Sequence, residues 1–113
     1  MPGIHAVQAE LFRVLGHPAR VRILELLRDG ERSVGDLQAA LGLDSSGTSQ
    51  HLGALRKQGL LEANKQGTSV FYRVKDSRAL QLLETSRQIL TTNLAESRAL
   101  LEELAGESAP PTS

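Results

Sequence analysis

Residues 45–60, SSGTSQHLGALRKQGL, restrict the possible folds more than any other stretch of the chain. In a helix, Thr48, Leu52, Leu55 and Gly59 share one side, because they recur at spacings of four, three and four. Ser46, Gln50, Gly53, Ala54 and Lys57 fall on the opposite side, and Ser49, His51 and Arg56 lie on the flanks. The outward side carries no acid. It offers hydrogen-bonding groups near its start, two very small residues in its middle and cations toward its end. A helix that enters a DNA groove needs these three things: groups for base edges, room for close approach and positive charge for phosphate. A solvated surface helix reads the same way in isolation, so the neighbouring segments have to decide.

Upstream, three short helices are expected. Val7, Leu11, Val14 and Leu15 give Ala6–Leu15 an apolar stripe, and Gly16 stops it. His17-Pro18 restarts the chain, with the proline suited to a first helical position. Val21, Ile23, Leu24, Leu26 and Leu27 then make a helix that is apolar over much of its circumference, which places it in the middle of the core. Asp29-Gly30 ends it. Ser33 with Asp36 three residues later resembles a capping box with a shortened acid. Leu37, Ala40 and Leu41 face inward, and Gly42 terminates this third helix. Asp44 or Ser45 caps the helix over 45–58, so helix, tight turn and helix follow in the helix-turn-helix pattern. Gly47, in the first turn, predicts a frayed or late start.

Downstream, residues 60–64 and 69–74 alternate as two strands joined by a linker over 65–68, with Lys65 and Gln66 at its tip. Val70, Tyr72 and Val74 share one side and Phe71, Arg73 and Lys75 the other, and the pair must pack on the helices, since two strands alone are marginal. Asp76 caps a last helix reaching about Leu104. Leu80, Leu83, Leu90, Leu94, Leu101 and Leu104 fill a heptad seam that only Arg87 and Ser97 interrupt. Such a seam packs either on the chain's own first helix or on a second copy. Its length favours the second copy, with Val7, Leu11, Val14, Leu83, Leu90, Leu94 and Leu101 as the dimer face. Residues 1–105 are expected to form one DNA-binding and dimerisation domain, and residues 106–113, GESAPPTS, a disordered tail.

Charge supports a nucleic-acid partner only through its placement. The 113 residues have a net charge of zero. Residues 45–78, however, hold six Lys/Arg (Arg56, Lys57, Lys65, Arg73, Lys75, Arg78) against two acids, whereas residues 79–113 hold two against five. The absence of cysteine excludes disulfides, thiolate metal sites and thiol redox sensing. No run approaches the roughly 20 apolar residues of a membrane span and no signal peptide is visible, so a cytoplasmic protein without a membrane partner is expected.

Residues 15–74 closely resemble the arsenical-repressor (ArsR/SmtB) family of bacterial transcription regulators. The matches are His17-Pro18-Ala19-Arg20, Ile23-Leu24-Leu27, Ser33-Val34-Asp36-Leu37, Ser49-Gln50-His51-Leu52, Leu55-Arg56, Gly59-Leu60 and Phe71-Tyr72-Arg73. The resemblance implies a mainly α fold with a small β-hairpin, the winged helix-turn-helix. It implies a homodimer joined by the first and last helices, with the helix from Ser45 in the major groove and the hairpin on the adjacent backbone. On that view Ser46, Ser49 and Gln50, with Ser45 beside them, meet base edges, while Arg56, Lys57, Lys65 and Arg73 meet phosphate and Gln66 sits at the wing. His51 reads as a packing or phosphate residue. A two-fold dimer implies an inverted-repeat site on double-stranded DNA.

The sequence departs from the family at its metal sites. Glu31–Asp36 lacks the cysteines of soft-metal sensors, and Asp76–Leu104 lacks the histidines of zinc sensors. His5 could join carboxylates of the other subunit's last helix in a nitrogen/oxygen set suited to nickel or zinc; the alternative is a solvent-exposed histidine without a partner. The expected function is a sequence-specific transcription regulator, a repressor by family default. The alternative is a protein-interaction module that acts with a separate sensor protein. An enzyme is disfavoured, because no nucleophile-base arrangement, phosphate loop or paired-carboxylate motif occurs.

Overall fold

Most helix starts fall where a side chain takes up a backbone N–H that would otherwise lack a partner. The computed structural model describes residues 3–108, in the order α1 (Ile4–Leu15), α2 (Pro18–Leu26), β1 (Arg32–Ser33), α3 (Val34–Leu41), α4 (Ser45–Lys57), β2 (Leu61–Gln66), β3 (Ser69–Val74) and α5 (Arg78–Ser108). The His17 ring caps α2 by accepting from the Ala19 N–H through Nδ1 at 3.1 Å. Ser33 Oγ caps α3 by accepting from the Asp36 N–H at 3.1 Å. Asp44 Oδ1 caps α4 by accepting from the Gly47 N–H at 2.7 Å. Gly42 ends α3 in the left-handed conformation, at φ 66°.

The cap on α4 corrects one expectation. Gly47 does not fray the helix, which starts at Ser45. A Cβ at position 47 would stand 2.9 Å from the capping Asp44 Oδ1. The glycine therefore lets the carboxylate reach the helix end, and the cap offsets its low helix propensity.

The hairpin is longer and the sheet wider than the sequence suggested. β2 and β3 pair antiparallel from Leu61↔Val74 to Gln66↔Ser69. Lys65 and Gln66 thus belong to the ladder, and the turn itself is Gly67-Thr68. Gly67 adopts φ 63°, the glycine-first pattern of a type II′ turn. A third strand, β1, was not expected. It pairs with β3 through Arg32↔Tyr72 and Ser33↔Phe71, giving the order β1-β3-β2.

The chain divides between Leu80 and Gln81 into two compact units. In the first, α2, α3 and α4 pack on one another, α1 packs on α2 and α4, and the sheet packs on α3 and α4. Ile23, Leu24, Leu27, Leu37, Leu52, Leu55 and Leu61 are buried there. Among the described residues Thr48 is the buried polar one, and its Oγ1 donates to the Asp44 carbonyl at 2.8 Å. The second unit consists of the body of α5. This helix has 31 residues, about 46 Å at 1.5 Å per residue, and runs to Ser108 rather than ending near Leu104. The expected tail is therefore helical over its first three residues, and its last five, 109–113, lie outside the described residues.

Candidate nucleic-acid interface

α4 is anchored through Thr48, Leu52 and Leu55, all buried on the stripe that the spacing identified. Anchoring that side turns the opposite one outward. Ser45, Ser46, Ser49, Gln50, Gly53, Arg56 and Lys57 are exposed, and Ala54 is half-buried. Gly59 does not extend the inward stripe. It follows the helix, exposed and at φ 77°, and ends it as a left-handed glycine.

The two flanks of α4 face different elements. Ser49 lines a cleft of about 450 Å³ with Ser33, Val34, Gly35, Thr68, Ser69, Val70 and Tyr72, so this flank looks toward the wing. His51 lies about 200° around the helix from Ser49 at 100° per residue and looks toward α2. Its Nδ1 accepts from Arg20 Nε at 3.1 Å, and its ring centroid is 4.3 Å from that of His17. Burial holds the His51 pKa below its ordinary value, and the nearby His17 and Arg20 push in the same direction.

Of the expected wing cations, Lys65 is exposed on β2, and the Gln66 amide donates to Glu31 Oε1 at 3.1 Å. The Arg73 side chain is 62% exposed and pairs with a carboxylate. Its Nε donates to Glu62 across the β2–β3 ladder, and it lines a separate cleft with Leu27, Arg28, Gly30, Glu31, Val74, Ser77 and Leu80. His5 is exposed on α1. Among the described residues no group of three or more His, Asp and Glu side chains could hold a metal ion.

Residues 17–63 match the arsR family of bacterial regulatory proteins. The chain is 43% identical over 108 residues to the HTH-type transcriptional regulator Rv0081 of Mycobacterium tuberculosis, covering 94% of this chain and 95% of that one. It belongs to the ArsR family. Among ArsR-family relatives, the biofilm growth-associated repressor of Xylella fastidiosa is 36% identical over 84 residues, covering 74% of each chain. The crystal structure of Rv0081 superposes with a TM-score of 0.79 at 39% identity, over 86% of this chain and 98% of that one. The homodimeric winged helix-turn-helix DNA-binding domain Mb0332 of Mycobacterium bovis, solved by NMR, superposes with a TM-score of 0.69 at 30% identity, over 81% and 88%. The winged helix-turn-helix expected from the sequence is therefore the fold.

The expected dimer face divides into exposed and buried residues. Val7, Leu90, Leu94 and Leu101 are 52%, 60%, 70% and 67% exposed, and Leu11 is half-buried. Val14 and Leu83 are 2% and 9% exposed. Sequence reasoning missed Ile4, Phe12, Ile89 and Leu100, each more than half exposed. Their signal was present: Leu100 flanks the heptad seam, Ile89 lies on another side of α5, and Ile4 and Phe12 are apolar positions of α1 outside its apolar stripe. No helix of the described residues is long and apolar enough to cross a membrane.

Proposed function

We propose that this chain is a homodimeric, sequence-specific DNA-binding transcription regulator, with α4 as its reading helix and the β2–β3 hairpin as its wing. The observation that carries this reading is the acid-free, exposed side of α4, held outward because the other side is locked into the core. Ser45, Ser46, Ser49 and Gln50 would then address base edges, and Arg56, Lys57 and Lys65 phosphate, by counterion release and charge-assisted hydrogen bonds. The exposed leucines of α5 and the apolar residues of α1 support association with a second copy, as does the homodimeric state of the similar Mb0332 domain. A two-fold pair of reading helices calls for an inverted repeat with half-sites about one helical turn apart. Repression, in the manner of the similar biofilm growth-associated repressor, is the sign of regulation that this reading adopts.

Selection of duplexes from a random pool by the purified chain alone tests the proposal. One inverted repeat should be enriched. Gln50→Ala should relax its preference, and Lys65→Ala should weaken binding to all sequences and reduce the salt slope by about one. An unselected pool, or binding that needs a second protein, would overturn it. Repeating the selection with nickel and zinc tests His5, with carboxylates of a second copy's α5, as the effector site.

A further inference from the structure

A helix lying in a major groove has a phosphate strand on each side. On the DNA-binding reading, the Ser49 flank of α4 and the wing face one strand, where Arg56 and Lys65 are available cations. The opposite flank must face the other strand. That flank carries His51 and, beside it, His17 and Arg20 from the start of α2. The one cation of this group is already engaged: Arg20 donates from Nε to His51 and from Nη1 to the Val14 carbonyl at 3.3 Å.

The hydrogen bonds determine what the two imidazoles can still offer. Each uses Nδ1 as an acceptor, His17 from the Ala19 N–H and His51 from Arg20. A neutral imidazole with Nδ1 accepting carries its hydrogen on Nε2, so both rings are Nε2–H donors. His17 is exposed. His51 is half-buried and its Nε2 makes no hydrogen bond. Because no buried side-chain nitrogen or oxygen lacks a partner among the described residues, that nitrogen is open to solvent. Centroids 4.3 Å apart bring the two rings close enough to address a single phosphate group.

We propose that His17 and His51 together form a phosphate-binding pair that donates two Nε2–H hydrogen bonds to the DNA strand on the side of α4 away from the wing. This rests on the DNA-binding reading above. Arg20 is the positioning residue: it fixes the His51 tautomer and adds positive charge behind the pair. The α2 cap sets the His17 tautomer, so one residue both starts a helix and presents a donor to the backbone.

Asparagine separates the two roles of each ring, because its side-chain oxygen replaces the Nδ1 acceptor while the far donor is lost. His17→Asn should keep the α2 cap and the melting temperature of the wild type. It should weaken binding to selected and random duplexes by the same factor, about 10- to 150-fold for one hydrogen bond to a charged group. His51→Asn should do likewise, and His51→Gln, which retains a far donor, should recover part of the loss. In the wild-type protein the Nε2–H signals of both rings in ¹⁵N NMR should move when duplex is added. Wild-type binding by His17→Asn at unchanged melting temperature, or imidazole signals that ignore the duplex, would overturn this pair and leave the DNA-binding reading standing. A wild-type chain that binds no duplex would overturn both.

Discussion

α4 and α5 are both amphipathic, and they differ in who covers the apolar side. In α4, Thr48, Leu52 and Leu55 are buried within the chain itself, and the helix is short and capped. In α5, Leu90, Leu94, Leu101 and Leu104 are each more than half exposed along 31 residues. The fold completes the first helix and leaves the second incomplete. Hydrophobic periodicity gives the side that must be buried, but it does not say whether the cover comes from the same chain or another.

This contrast can be broken in order of expected effect. Leu55→Ala should cost about 2–5 kcal/mol of unfolding free energy in urea titration, because it opens a void in a fully packed core. A loss near zero would mean that α4 is not anchored as described. Leu94→Glu should leave the fold of the first unit intact and shift the chain to monomer, with the dimer weakened more than tenfold in sedimentation at micromolar concentration. An unchanged dimer would mean that this part of α5 is not the interface. Asp44→Ala should cost about 1 kcal/mol by removing the α4 cap, and it should weaken DNA binding in proportion to the helix start it frays.

The smallest effect concerns pH. The His51 pKa is lowered in the folded chain, so the unfolded chain takes up the proton first as pH falls. Stability should therefore be level above the ordinary histidine value of 6.5 and decline below it. His51→Asn should flatten that decline when urea midpoints are compared on either side of the value.

Punctuation made the helices legible. Gly16, His17-Pro18, Ser33 with Asp36, and Gly42 each stand at a helix boundary, because end geometry depends on one or two local residues. The strand ends were harder. Lys65 and Gln66 have low strand propensity and read as linker, yet pairing with Val70 and Ser69 carries them into the ladder. Arg32–Ser33 is too short to alternate, and only β3 makes it a strand. The outward side of α4 followed from spacing alone. The approach of His17 to His51 depends on tertiary contacts between residues that no local pattern links, whereas the pairing of Arg73 with Glu62 follows from the hairpin register.

The two-residue turn of the wing makes its reach a stepped quantity. Lys65 is held by a ladder that closes at Gln66↔Ser69, so no slack loop lets it extend. One residue added to a single strand would swap the sides of its neighbours and direct Lys65 away from its present face. Relatives that lengthen this arm should do so by matched pairs on both strands, each about 7 Å longer, and the span of backbone touched would change by whole increments.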